Sequence, residues 1–327
     1  MKRKKIIVQL SENQMRLDRY VKSIYPNLTQ GMIEKLIRNK DIKVNNIRQK
    51  ANYMLKSNDE VEIYIPFEAQ NETLQEQEFS PGSKALASKI LSEYKIFQDE
   101  NILAINKPSQ LASQGGTNLS ISIDEAINYL NKDISPSMVN DGYRICHRLD
   151  KSTSGVFLIA CNRGAAQKIT ESFAAKTISK KYIAILSGVP KQDNGIVKNY
   201  LTKDVKNQIQ VISNEGDYAE TEYEVLAKNN HRSLVLFTPK TGRMHQIRVH
   251  AKSLGCPILG DKKYGHRKYL EQKTPFSNLF LHAFSLFIPE DVFARKYGFH
   301  AEIPQYFRQQ IAQEFGEEIL KILGNLK

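Results

Sequence analysis

The sequence predicts an α/β protein: a mixed, mostly antiparallel sheet with flanking helices around a basic cleft, preceded by a small separate domain. Three observations lead there. Strand-like runs recur at 42–45, 61–66, 102–107, 156–160, 180–188, 219–226 and 232–238, with segments of helical spacing between them. A polar, acidic stretch over 67–94 divides a short N-terminal segment from the rest. The 327 residues carry 47 Lys+Arg against 35 Asp+Glu, a net charge of +12 that favours polyanionic partners, nucleic acid first among them.

Residues 11–66 read as a compact module. Leu17, Tyr20, Val21 and Ile24 have helical spacing, and Pro26-Asn27 ends the run. A second helix begins at Thr29 and buries Met32, Ile33, Leu36 and Ile37, with Glu34, Lys35, Arg38 and Lys40 on its polar side. The strands at 42–45 and 61–66 follow. This helix-helix-strand-strand order, with Arg16, Lys35, Arg38 and Lys40 available to one face, resembles the α-L RNA-binding module first recognised in a ribosomal small-subunit protein. The resemblance implies RNA contact through those four cations. The usual Gly-x-Val-x-Val-Asn-Gly turn appears as Asp41-Ile42-Lys43-Val44-Asn45-Asn46. Asn46 tolerates positive φ almost as Gly does, whereas Asp41 departs from the pattern.

Residues 67–94 are expected to be a linker: Glu68, Glu72, Glu76 and Glu78 stand among Gln, Asn and Ser, and Ser80-Pro81-Gly82-Ser83 closes the stretch as a turn signal. A short helix fits Ala85 to Leu91. Such a linker would let the first module reach a neighbouring RNA element and raise effective concentration.

The main domain is placed at 95–327. Ile102 to Lys107 is a buried strand stopped by Pro108. The organising stretch is Cys146-His147-Arg148-Leu149-Asp150-Lys151-Ser152-Thr153-Ser154-Gly155, a polar loop leading into the apolar strand Val156 to Ala160. A loop carried by a rigid strand commonly holds catalytic groups. Asp150 stands among His147, Arg148 and Lys151, and nearby cations favour the ionised carboxylate that a nucleophile or base requires. Composition alone also fits a surface loop with a capping Asp. The motif itself resembles the His-Arg-Leu-Asp-Lys-x-Thr-Ser-Gly signature of the RluA-type pseudouridine synthases, whose Asp is catalytic and maps onto Asp150.

Further stretches resemble the same family. Asn106-Lys107-Pro108 matches its first motif, and Ser113-Gln114-Gly115-Gly116 after it resembles the RluC branch, which acts on large-subunit ribosomal RNA. Lys180-x-Tyr182 matches a Lys-x-Tyr motif whose Tyr lies against the target base. Thr241-Gly242-Arg243-Met244-His245-Gln246-Ile247-Arg248-Val249-His250 follows the second long signature, with Met244 in place of the common Thr. The segment to Leu254 reads as a helix ended by Gly255, bringing His245, Arg248 and Lys252 to one face. By resemblance Arg248 is the arginine that pairs with the catalytic Asp, and Arg243, in the turn, meets phosphate. Pro257-Ile258-Leu259-Gly260-Asp261 reads as structural, and the tail from Pro304 as an amphipathic helix covering the core.

The resemblance implies conversion of uridine to pseudouridine within RNA. Asp150, Tyr182 and Arg248 are then the catalytic residues. Arg148, His147, Lys151, Lys180, Arg243 and His245 contact RNA, with Arg148 stacking in the space left by the flipped base. Arg248 would grip Asp150 through a bidentate pair, and Tyr182 would pack on the uracil and take part in removing the C5 proton. No metal and no cofactor are expected, in keeping with the lack of a Walker loop or dinucleotide glycine fingerprint. The partner expected is large-subunit ribosomal RNA and the state a monomer. Three dispersed cysteines (Cys146, Cys161, Cys256) point to reduced thiols, and no signal-peptide or membrane-span run is present, so a cytoplasmic protein is expected. A hydrolase built on Ser152 or Ser154 lacks a nucleophile elbow. A non-catalytic RNA-binding or ribosome-assembly protein, or a synthase acting on transfer RNA, are the alternatives. Pure binding gives no reason to place a carboxylate before phosphates.

Overall fold

A computed structural model describes residues 2–8, 15–25, 28, 30–65, 79–115, 121–132, 141–204, 209–265 and 278–326. The chain forms two compact units, Met1–Glu78 and Phe79–Lys327.

The first unit contains β1 (Lys2–Ile7), β2 (Met15–Arg16), α1 (Leu17–Ile24), α2 (Gln30–Arg38), β3 (Ile42–Val44), β4 (Met54–Leu55) and β5 (Glu60–Ile65). Its core is the apolar stripe read from the sequence: Leu17, Val21, Ile33, Leu36 and Ile37 pack on Ile42, Val44, Val61 and Ile63. Two features differ from expectation. The basic N-terminus is a strand, β1, antiparallel to β5, so the unit starts before residue 11. Arg16 is a strand residue that forks onto buried Asp18 (Nε–Oδ1 3.1 Å, Nη2–Oδ2 2.6 Å), so this guanidinium satisfies a carboxylate of the fold. At the turn, Asn45 and Asn46 adopt φ of 51° and 64° as their side chains allow, and Lys40, before Asp41, takes 68°. Pro26, Asn27 and Thr29 lie outside the described residues.

The second unit opens on α3 (Pro81–Leu91). Here the linker reading is corrected. Ser80 is an N-cap that accepts the Ser83 N–H, Pro81 occupies the first turn, and Leu86, Ala87 and Ile90 are buried. The Ser-Pro-Gly-Ser stretch therefore starts a helix; residues 66–78 lie outside the described set. There follow β6 (Lys95–Gln98), β7 (Ile102–Lys107), α4 (Ile123–Leu130), β8 (Asp141–Ile145), β9 (Ser154–Asn162), α5 (Arg163–Ala174) and β10 (Ser179–Leu186). Then come β11 (Asn194–Asp204), β12 (Ile209–Ser213), β13 (Asp217–Lys228), β14 (Ser233–Pro239) and α6 (Gln246–Ser253). The chain ends with β15 (Leu281–Ile288), α7 (Glu290–Phe293), β16 (Tyr297–His300), α8 (Gln305–Phe315) and α9 (Glu318–Asn325). The tail is two helices rather than one, parted at Gly316, whose φ is +85°.

One mixed sheet runs β12-β11-β13-β14-β10-β15-β9-β7-β6, with β16 on β15 and β8 on β9. Among the described residues its pairings are antiparallel except β9 with β15. Helices cover both faces, which explains the continuous apolar run of β7: Ile102 and Ala104 pack towards α5, Leu103 and Ile105 towards α3 and α4. Further along, α8 and α9 bury Ile183, Ile185, Leu234 and Leu236, while α6 covers Ala184, Leu186, Val235 and Phe237.

The parallel join is tight. Gly155 takes φ +116°, and a Cβ there would sit 2.2 Å from Ala283 O and 2.6 Å from Ala283 N. Beside it Ser154 Oγ donates to His282 Nδ1 (2.9 Å), while His282 Nε2 donates to Ala301 O (3.2 Å). Burial holds this imidazole neutral, pushed down to about 4. Gly155→Ala is expected to destabilise the protein by roughly 3 kcal/mol, since overpacking and backbone strain each cost about 1–3 kcal/mol. Urea unfolding checks this; an unchanged midpoint would mean that β9 and β15 can part at no cost.

Candidate active site

The loop carrying Asp150 joins β8 to β9 and is pinned from below. Ser113 Oγ donates to Leu149 O (2.8 Å) and accepts the Leu149 N–H (3.1 Å), and Ser109 Oγ donates to Ser152 O (2.9 Å). Fully buried Lys107 donates from Nζ to Leu111 O (2.9 Å), Pro108 O (3.0 Å) and Lys151 O (3.3 Å). Burial pushes its ammonium down to about 7, against the raising field of Asp150. Three carbonyls taking one proton each is an arrangement only the charged form satisfies in full. Lys107 of the Asn-Lys-Pro motif thus ties the Asp150 loop at Lys151 to the end of β7, and Ser109 and Ser113 just beyond it hold Ser152 and Leu149.

His147 is a correction. Its ring lies between Phe157 (centroids 4.6 Å) and Phe173 (4.8 Å), and Nε2 accepts the Leu158 N–H at 2.8 Å. Both faces and a nitrogen are occupied, and burial pushes it down to about 3. It is therefore a neutral strut under the loop in place of an RNA contact.

Asp150 lies in a cleft of about 330 Å³ lined also by Arg148, Lys180, Tyr182, Arg243, His245 and Arg248. Arg248 Nη1 donates to Asp150 Oδ2 at 3.3 Å, and His245 Nε2 stands 3.7 Å from the same oxygen. The bidentate pair expected with Asp150 is instead made with Asp261: Arg248 Nε and Nη2 donate to Asp261 Oδ2 (2.8 Å) and Oδ1 (2.7 Å). A second carboxylate in the core fixes the guanidinium's plane and leaves one arm for Asp150. The side chains of Arg248 and Asp261 are 7% and 0% exposed, so this pair is buried and each charge needs the other. Asp261 also accepts the N–H groups of Lys263 (2.9 Å) and Tyr264 (3.1 Å). Sequence reading took its stretch as structural and gave it no partner, although one acid closing an apolar run implies one.

His245 is not on the helix. It caps α6 in the left-handed region, φ 55°, which turns its ring towards Asp150. Tyr264 Oη accepts the Gln210 N–H (2.8 Å) and so has its proton for His245 Nδ1 (2.8 Å), leaving Nε2–H facing the carboxylate. The turn before it hangs on Gln246, also unremarked in the sequence. Gln246 Oε1 accepts from Thr241 Oγ1 (2.7 Å) and Arg243 N (3.0 Å), while Nε2 donates to Glu220 O and Thr221 Oγ1, both 2.9 Å.

Tyr182 faces the cleft next to a β-bulge between Lys181 and Tyr182, the kind of irregularity that re-aims a side chain. Burial and the field of Asp150 raise its pKa, so the phenol keeps its proton. That favours a packing wall over a base. Arg148 is exposed at the cleft rim, Lys180 lies 5.6 Å above the Phe173 ring with its pKa lowered by burial, and Arg243 donates from Nε to Tyr218 O (3.1 Å). Lys151 is exposed and is not among the cleft's lining residues. In the first unit, Lys35, Arg38 and Lys40 are exposed on and just after α2.

The RNA pseudouridylate synthase family model matches residues 101–253, and an S4 domain model matches 15–61. A ribosomal large subunit pseudouridine synthase C of Rickettsia typhi is 40% identical over 304 residues, covering 90% of this chain and 96% of the relative. The protein of that name from Pasteurella multocida is 33% identical over 290 residues, 86% and 85% of the two chains. Among solved structures, human RNA pseudouridylate synthase domain containing 4 superposes with a TM-score of 0.60 at 28% identity, covering 71% of this chain and 96% of that one. With sequence relatives matching nearly end to end and the family model running from before β7 to the last residue of α6, the chain belongs to the RNA pseudouridylate synthases.

Proposed function

We propose that this chain isomerises uridines in large-subunit ribosomal RNA, with Asp150 as the catalytic carboxylate, Arg248 as its holder and Tyr182 as the wall beneath the uracil. The relatives' names support the RNA target. The observation that carries the residue assignment is the Asp261–Arg248–Asp150 chain opening into a cation-lined cleft. A positioned arginine engages one carboxylate oxygen, Oδ2, and leaves Oδ1 for substrate.

The reaction breaks the N1–C1′ bond, turns the uracil, joins C5 to the same C1′ and transfers the C5 proton away while N1 regains one. A base within RNA structure must first be flipped out, at a cost of a few kcal/mol. Arg148, exposed at the rim, would stack in the vacated space. The loop's anchors at Leu149, Lys151 and Ser152 would keep Asp150 from swinging as the base turns. An oxygen so fixed serves attack on C1′ and removal of the C2′ proton alike. Exposed Lys35, Arg38 and Lys40 give the first unit its own RNA contacts.

Pseudouridine mapping of ribosomal RNA from cells with and without this gene tests the proposal. Discrete large-subunit sites should vanish and return with the wild type but not with Asp150→Asn. Loss confined to transfer RNA sites would sink the target assignment, and no loss in any RNA would sink the activity.

A further inference from the structure

A second pocket, of about 370 Å³, adjoins the cleft and shares Arg148, Lys180 and Arg243 with it. Lys176 and Lys240 complete its cationic lining, and among the described residues none of the side chains lining it is a carboxylate. The catalytic cleft, by contrast, is lined by Asp150 and Asp217 as well as by cations. Two neighbouring pockets thus differ in charge: one suits a sugar and base at a carboxylate, the other an anion.

Lys176 is the telling residue. It follows α5 with φ +62°, the left-handed position just past a helix end where Gly is favoured because a Cβ is strained. A lysine there costs backbone ease and places an exposed side chain at the pocket. Three of its neighbours are less available: Lys240 pairs with Glu222 at 2.7 Å, Arg243 reaches Asp217 at 3.4 Å, and Lys180 is held above Phe173. The fourth, exposed Arg148, is the residue assigned to the space left by the flipped base. The Phe173 ring, stacked on His147 at 4.8 Å, lines the pocket beneath Lys180.

We propose that this pocket binds a backbone phosphodiester of a nucleotide adjacent to the target uridine, with Lys176 as its principal cation. The pocket rests on the reading that RNA occupies the cleft. It fixes the strand on one side of the flipped nucleotide, so that the base turns while its backbone stays in place.

The test uses the full chain and a large-subunit ribosomal RNA transcript, with affinity measured as a function of KCl and pseudouridine formation followed separately. Lys176→Gly is expected to unfold at the same temperature or higher, since it relieves the left-handed strain. It should bind RNA several-fold more weakly at low salt. Its plot of log affinity against log salt should flatten by about 0.7, the slope carried by one phosphate contact on a single strand. Lys176→Arg should restore the wild-type slope. An unchanged slope in Lys176→Gly, or equal flattening in Lys176→Arg, overturns the proposal. A wild type that binds the transcript but forms no pseudouridine would instead overturn the assigned activity, and the binding slopes would still judge the pocket.

Discussion

Asp150→Asn is expected to lower pseudouridine formation at saturating RNA by at least about 10³-fold, within reach of losing one positioned acid–base or nucleophilic group. The substitution is clean for a structural reason. Arg248 makes its two shortest hydrogen bonds to Asp261, at 2.7 and 2.8 Å, and only a 3.3 Å contact to Asp150, so its charge remains balanced when Asp150 is neutral. Removing a negative charge from a cleft that receives phosphates should leave RNA affinity equal or higher. Single-turnover kinetics with tritium release from C5, alongside equilibrium binding, separates the two effects. Turnover within tenfold of wild type would remove Asp150 from the chemistry.

Asp261→Asn is expected to be costly in stability as well as activity. It leaves Arg248, 7% exposed at its side chain, without its buried counter-charge, and breaking such a pair costs about 3–5 kcal/mol. The guanidinium's remaining carboxylate is Asp150, so it should rotate to grip that residue in two-point fashion. Pulling the carboxylate off its line by about an ångström can cost roughly 10²-fold in kcat. Chemical denaturation and kcat should therefore fall together in Asp261→Asn. A variant that loses stability but turns over at the wild-type rate would show that Arg248 needs no second carboxylate to serve Asp150.

The local parts of this site were legible in the sequence, and the parts made by distant contacts were not. The Asp150 loop and the strand it feeds follow from adjacent residues, whereas Arg248 as partner to Asp150, 98 residues away, came only from the family resemblance. Asp261, Tyr264 and Gln246 matter because of what lies across from them in space, and a linear pattern shows only that a polar group sits in an apolar run. His147 looked like a cation in a polar loop; two phenylalanines from β9 and α5 turn it into packing. His245 fell on a helical face by spacing, yet a left-handed residue at the start of α6 breaks that register and directs the ring to the carboxylate. The same holds for the fold. Alternation identified the strands of the hairpins, whereas β1 needed β5 as a partner before its Lys-rich sequence could be strand at all. Residues 80–83 carry the same Ser, Pro and Gly that mark turns and helix starts alike, and burial of Leu86 and Ile90 decides between them.

The position of β15 has a consequence for how the protein is made. It is the last long strand to leave the ribosome, yet it lies in the middle of the sheet, between β10 and β9. Until residues 281–288 emerge, the strand carrying Tyr182 and the loop carrying Asp150 belong to two half-sheets that no strand joins; β8 covers part of the inner edge of β9, and the start of β9 at Ser154 and Gly155 waits for β15. His282 meets Ser154 across 128 residues of chain, a contact of the kind that forms slowly. The nascent chain can therefore present its basic surfaces to RNA before it can react with it, and modification waits for synthesis of the catalytic domain to be all but complete.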